Sequence, residues 1–397
     1  MKRRDFLKQS VFASGMALIP SFLKGMEFLS PDQLSGYKNV IIIQLSGGND
    51  GLNTIIPISN DIYHSLRPSI AKKSGQTLKI TEDLAFNNNL KEIAALYNQG
   101  EVSIINNVGY PNPNRSHFRS TDIWQTASDT NQYLHTGWVG RYLDANCHHP
   151  YQAIEVDNSL SLAMKGRTMN GIAVSDPNQL YRTTREPFFN NIITNTQKEM
   201  LDEENQGYLY KTMLETYSSA SYIYETSKIY KTSTTYPQTP FAKNLKIIAD
   251  FIVSGLKTKV FYSSLGGFDS HVNQLNTQDR LLNIYSEAIG ALVLDLKKND
   301  RFNDTLILTF SEFGRRVKQN GSRGTDHGAA NNVLAISGAL KKAGVYNELP
   351  NLSDLDNNGD IKYSVDFRSV YATILNNWLN VDDQAILNTN FKNLGFI

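Results

Sequence analysis

The chain has 397 residues, with 39 Lys and Arg against 38 Asp and Glu, and 40% of it is hydrophobic. That composition supports a sizeable core and excludes wholesale disorder, and a net charge of +1 argues against a strongly basic nucleic-acid binder. The one cysteine, Cys147, excludes an internal disulfide and any cysteine-rich zinc or iron–sulfur site.

The N-terminus reads as an address. Arg3, Arg4, Asp5, Phe6, Leu7 and Lys8 precede a moderately apolar stretch from Val11 to Leu23. A basic start and a short apolar region describe an export signal, not a spanning helix. The Arg-Arg-x-Phe-Leu-Lys run resembles a bacterial twin-arginine signal. Residues 1–30 are therefore assigned to a leader, and the export machinery becomes a partner. The expected location is the periplasm or the cell surface. No clean Ala-x-Ala follows, which leaves an uncleaved tether open. Beyond this region no apolar run approaches the ~18 residues of a membrane-spanning helix.

After Gly36 strands and helices alternate. Asn39 to Leu45 is a continuous apolar run, as in a buried parallel strand. A helix near Leu90 to Tyr97 precedes a strand from Val102 to Asn106. Pro111 and Pro113 block helix until about Asn114, and a helix then starts near Ser116 and runs toward Trp124. Residues 196–240 are rich in Tyr, Ser, Thr and Glu, and read as a helical insertion with a polar loop, placed as a cap over the site. Ala242 to Leu256 is an amphipathic helix before a strand from Thr258 to Ser263. Gln274 to Lys298 is a longer helix, closed by Lys297 and Lys298 where the dipole favours cations. Thr305 to Phe310 and Asn332 to Ile336 are strands, and Asp366 to Leu379 is the last helix. The alternation predicts one α/β domain over residues 36–397, with a mostly parallel central sheet and helices on both faces.

Three acidic or histidine-bearing segments follow predicted strands: Ser46 to Gly51, Gly266 to His271, and Gly324 to Gly328 downstream of Ser311 to Arg316. Ligands in open α/β sheets bind beyond the carboxyl ends of strands, so these loops are expected to converge. Carboxylates and imidazoles hold zinc, manganese or similar ions. Asp50, Asp269, His271, Asp326 and His327 form the expected ligand set, with zinc or manganese first and one or two ions. Glu312 is a further ligand or an outer partner. Ser116, at a helix N-terminus, is the candidate nucleophile, in competition with Ser120 and Thr121. His117 is a ligand or a donor to substrate, and Arg119 and Arg315 are placed to stabilise developing charge. Cys147-His148-His149 reads as a surface loop, and His135, Trp138 and Arg141 read as packing or rim. The Asp354 to Asp360 segment opens like a calcium loop, but has Val365 where the glutamate belongs, and reads as a polar turn.

Taken together, LSGGNDGLNT, GGFDSH, SEFGRR and GTDHG resemble the bacterial family called "domain of unknown function 1501". The likeness runs from Arg3 through Asp366-Phe367-Arg368. That family is similar to the alkaline phosphatase, sulfatase and phosphoglycerate mutase superfamily. The resemblance implies an alkaline-phosphatase-like fold with one or two metals at strand ends. It matches Asp50 to the early Asp, Ser116 to the nucleophile, and Asp326 with His327 to the later Asp-His pair. It matches Asp269 with His271 at a narrower spacing than usual. Two features depart from the pattern. No histidine follows His327, so either His117 substitutes or the second metal site is incomplete. The sulfatase signature Cys/Ser-x-Pro-x-Arg is absent. The expected function is an exported metal-dependent hydrolase of phosphate or sulfate esters, with a small-molecule substrate. The alternative is a degenerate, non-catalytic exported binding or cell-surface scaffolding protein.

Overall fold

The computed structural model describes residues 35–195 and 204–397. The expected leader at 1–30, and residues 196–203 of the expected insertion, lie outside the described residues. The main sheet contains β1 (Asn39–Leu45), β2 (Val102–Gly109), β3 (Ala153–Glu155), β4 (Ile172–Ala173), β5 (Val260–Leu265), β6 (Thr305–Phe310), β7 (Asn331–Ile336), β8 (Gly344–Val345) and β9 (Val365–Asp366). Their order is β8-β2-β7-β6-β1-β5-β3-β4, with β9 also paired to β2. Every pairing is parallel except those of β7, which runs antiparallel to both β2 and β6. The mixed α/β architecture with a mostly parallel sheet therefore stands, with one reversed strand.

The helices that matter here are α1 (Lys91–Asn98), α2 (His117–Thr126), α3 (Trp138–Asn146), α4 (Glu204–Thr226), α5 (Pro240–Val253), α6 (Gln274–Lys298) and α7 (Phe367–Thr373). Alternation along β1 divides the interior. Ile41, Ile43 and Leu45 pack with Ile93 and Leu96 of α1, Leu245 and Ile248 of α5, and Leu282, Ile289 and Leu292 of α6. Val40 and Ile42 face the other way, onto Ile123 and Trp124 of α2, Val139 of α3 and Val370 of α7. Both faces of the sheet are thus covered, which explains why β1 reads as an unbroken apolar run.

Some boundaries move. The strand expected at Thr258 starts at Val260, because the Thr258 hydroxyl donates to the Tyr151 carbonyl at 2.6 Å. β2 runs three residues further than expected, to Gly109. The helix expected over Asp366 to Leu379 widens after Thr373, where the Leu379 N–H reaches back five residues to the Ile374 carbonyl at 2.9 Å, and it is not the last, since a short helix follows at Asp383–Leu387. Among the described residues, the later part of the insertion packs away from the strand ends rather than capping them. Tyr222, Ile223 and Tyr236 join the main core. The Tyr230 and Tyr236 hydroxyls donate to Asp295 at 3.0 and 3.1 Å, some 30 Å along α6 from Gln274.

Candidate metal centre

The reversed strand decides which segments meet. Loops that leave parallel β1, β2, β5 and β6 emerge at one end of the sheet. Because β7 runs the other way, the residues that precede it stand at that same end. Asp269 and His271 follow β5, Glu312 follows β6, His327 precedes β7, and His117 opens α2 after β2.

These loops approach closely. Gly47 has φ +117, and a Cβ there would lie 2.8 Å from the Phe268 carbonyl carbon, so only glycine lets the β1 loop pass under the Asp269 loop. Arg315 fastens them. Its Nε donates to the Gly48 carbonyl at 2.6 Å, Nη1 to Thr325 at 2.8 Å, and Nη2 to Gly47, Phe268 and the Asp269 carboxylate at 2.5, 3.0 and 3.0 Å.

Three imidazoles converge on one carboxylate oxygen. Asp269 Oδ1 lies 3.3 Å from His117 Nε2, 2.9 Å from His271 Nε2 and 3.1 Å from His327 Nε2. His271 Nε2 and His327 Nε2 are 2.9 Å apart. The ligating atoms of His117, Asp269 and His327 all fall within 4.8 Å of one another. Each ring is held by its opposite edge. His117 Nδ1 is 2.9 Å from the buried Glu312 carboxylate, which also accepts from the Gly47 N–H at 2.8 Å. His327 Nδ1 is 2.7 Å from the Arg115 carbonyl, and His271 Nδ1 is 3.5 Å from Asp326 Oδ1. Phe313 packs against the His117 and His327 rings, with centroids 4.8 and 4.6 Å away.

The protonation pattern fits a cation. A carbonyl can only accept, so His327 Nδ1 carries the proton. Burial, with the Arg315 and His117 charges acting the same way, lowers the His327 pKa against the raising influence of Asp269 and the Arg115 carbonyl, which favours the neutral ring. Its Nε2 then presents a lone pair to the Asp269 carboxylate, acceptor against acceptor. His117 Nε2 is buried and has no hydrogen-bond partner. The Glu312 hydrogen bond, working against burial, raises the His117 pKa. For Asp269, burial acts upward, but the Arg315 guanidinium and the neighbouring imidazoles hold its carboxyl far below the usual range. Imidazoles held by acceptors at Nδ1 and open at Nε2 are how histidines bind metals. Imidazole nitrogens together with one carboxylate suit a borderline ion such as zinc.

Not every expected residue joins. Asp50 caps the turn at Gly51–Asn53, and its Oδ2 accepts from Arg67 at 2.6 Å and Gln274 at 2.5 Å. Arg67 is fully buried, and its guanidinium makes a compact ion pair with Asp50, so Asp50 stands outside the histidine cluster. Asp326 is exposed and sits at the Nδ1 edge of His271, as an orienting group. Arg119 faces inward. Its Nη2 donates to the carbonyls of Asp129, Thr130 and Gln132, and its guanidinium covers the Tyr133 ring at 4.0 Å. Arg315 is committed to main-chain oxygens and to Asp269, and Arg119 spends its Nη2 on main-chain oxygens. Ser116 is exposed, directly before His117, with no side-chain bond to the helix it caps. Ser120 is buried and donates to the Asn114 carbonyl at 2.6 Å.

The weaker features resolve as packing. Burial pushes the Cys147 thiol up to about 11, and His149 stacks on Tyr151. Arg141 donates to the carbonyls of Ile386, Thr136 and Thr126. In the Asp354 turn, Lys362 pairs with Asp354 and Arg115 with Asp360. No local sequence pattern marks Arg67, Gln274 or the Arg115 carbonyl.

The family profile described as "Protein of unknown function (DUF1501)" matches residues 105–393. No curated protein matches significantly. Among solved structures, the C-terminal periplasmic domain of EcEptC from Escherichia coli, in complex with Zn, is 10% identical with a TM-score of 0.39, covering 76% of this chain and 73% of that one. The lipoteichoic acid synthase LtaP from Listeria monocytogenes is 10% identical with a TM-score of 0.36, covering 78% and 68%. The PsFucS1 sulfatase from Pseudoalteromonas sp. is 12% identical with a TM-score of 0.38, covering 89% and 70%.

Proposed function

The chain belongs to the DUF1501 family, and on its histidine cluster we propose an exported metal-dependent hydrolase of phosphate or sulfate esters. The observation that carries the reading is the meeting of His117, His271 and His327 on Asp269, with each Nδ1 edge anchored and each Nε2 turned inward. A divalent ion held there supplies Lewis-acid polarisation of an ester oxygen. The motif resemblance supports the ester class, and the leader-like N-terminus supports export. No helix among the described residues is long and apolar enough to cross a membrane.

The ligand set is narrower than the five residues of the motif reading. Asp269, His271 and His327 remain, His117 enters, and Asp50 and Asp326 leave. One ion suits this set better than two. Arg315 holds Asp269, and Glu312 holds His117. Ser116 remains the nucleophile of this reading. Its exposed hydroxyl is one residue from a ligand, at a helix N-terminus that favours anionic groups.

Elemental analysis of purified protein tests the centre. One tightly bound zinc or manganese per chain is expected, and His327→Ala should lose it. Turnover of aryl phosphates or sulfates by the loaded protein, abolished in Ser116→Ala with the ion retained, supports the hydrolase. A bound ion without turnover on either ester class would instead leave the non-catalytic binding protein. No ion after reconstitution would overturn the metal centre itself.

A further inference from the structure

The Asp354 to Asp360 turn lies outside the reading above, yet it reaches the metal centre through two arginines. Asp360 is fully buried. Arg115 Nε donates to Asp360 Oδ2 at 2.8 Å, and Arg115 Nη2 bonds the same oxygen. The Arg115 carbonyl is the acceptor that orients His327, at 2.7 Å from Nδ1. On the other side stands Arg316. Its backbone N–H donates to the Asp326 carbonyl at 3.0 Å, and the Asp326 side chain lies at His271 Nδ1. Asp360 is therefore placed behind two of the three imidazoles at once.

The second arm is open. Arg316 Nε lies 3.8 Å from Asp360 Oδ1. Both atoms are buried, and neither has a hydrogen-bond partner. Two buried complementary groups left unpaired at that separation are costly. A displacement of under about 1 Å would bring them to the usual hydrogen-bond distance. The turn is otherwise well tied. The Asp360 N–H donates to Asp356 Oδ1 at 2.9 Å, and the Asp356 N–H returns to the Asp360 carbonyl at 2.9 Å.

We propose that Asp360 is a positioning residue for the metal centre. It fixes Arg115 and, through it, His327, and metal loading closes the open Arg316–Asp360 contact, so that the Asp354 to Asp360 turn tightens when the ion is bound. This rests on the metal reading of the histidine cluster.

The test uses the full chain as wild type, Asp360→Asn, Arg316→Gln and, as control, Asp354→Asn, whose partner Lys362 is exposed. Zinc affinity is read by chelator competition well below the unfolding temperature, and backbone hydrogen exchange is read with and without zinc. Asp360→Asn is expected to bind zinc about 10–100-fold more weakly, the usual effect of losing an outer partner, while Asp354→Asn binds as wild type does. Zinc is expected to slow exchange at residues 354–362 in wild type but not in Arg316→Gln, which leaves the Arg115–Asp360 pair intact. Equal zinc affinity in wild type and Asp360→Asn would overturn the positioning role. Equal zinc-induced protection in Arg316→Gln would overturn the closing contact. If wild type binds no zinc, the metal reading fails separately. Faster exchange of the metal-free Asp360→Asn chain near Arg316, with β1 still protected, would then retain the brace, and unchanged exchange would overturn it too.

Discussion

Glu312 is a buried carboxylate with three tasks. It accepts from His117, from the Gly47 N–H and, at 3.3 Å, from the Ser311 hydroxyl. Its charge sustains the raised His117 pKa, and its position turns Nε2 inward. Glu312→Gln keeps the shape and removes the charge. Zinc affinity should fall about 10–100-fold, and the His117 pKa in the metal-free chain should fall, read by NMR titration. Unchanged affinity would mean that the charge does not act through His117. At this scale the acidic and histidine residues beside glycines were legible in the sequence, since a strand end, a glycine and a metal-binding side chain occur together at Asp269, His271, Glu312 and His327. Asp50 carries the same signature but is paired with Arg67 and Gln274. Its partner Arg67 sits 17 positions away with no pattern to announce it. Main-chain acceptors such as the Arg115 carbonyl carry no residue signature at all.

The elements place these side chains through loop geometry. The β1 loop passes beneath Asp269 because Gly47 adopts a φ of +117. Gly47→Ala would meet the Asp269 loop backbone and force an unfavourable φ. A loss of about 1–3 kcal/mol is expected from the strain alone, read as a lower urea midpoint, together with weaker zinc binding. An unchanged midpoint would show that the two loops can part without cost. Strand existence was legible from apolar runs, and β1, β6 and α6 fall where the pattern puts them. Strand direction was not. The side-chain period of 2 is the same either way, so Asn331–Ile336 gave no sign of its reversal. The wide turn at Ile374–Trp378 was equally hidden, because the same apolar residues serve either helix geometry. It brings Trp378 Nε1 to the Asn39 carbonyl at 2.9 Å.

Across the whole molecule two cores flank the sheet, and Glu155 at the end of β3 is buried. Burial raises its pKa to about 7, against the Ser161 bonds that lower it. The sign follows from linkage. A carboxyl that stays protonated longer in the folded chain contributes nothing adverse below the unfolded value near 4.5. Between there and about pH 7 the unfolded chain loses its proton first, so stability falls as pH rises. The effect is on the order of 3 kcal/mol at most. Glu155→Gln should therefore match wild type near pH 4 and exceed it in stability at pH 8, read by urea denaturation at the two pH values. Equal stability at both would place Glu155 in a more polar setting than the fold implies.

The three histidines of the centre span positions 117 to 327, on loops beside three different strands. No contiguous stretch of chain carries the set. An extended or partly folded chain has nowhere to hold the ion, so binding free energy is also folding free energy. Affinity alone ranks copper above zinc and zinc above manganese in most nitrogen-rich sites. Acquisition is then governed by the surroundings in which the last strand docks. The compartment where the chain completes its fold sets which ions compete for the centre, before any selectivity of the ligands comes into play.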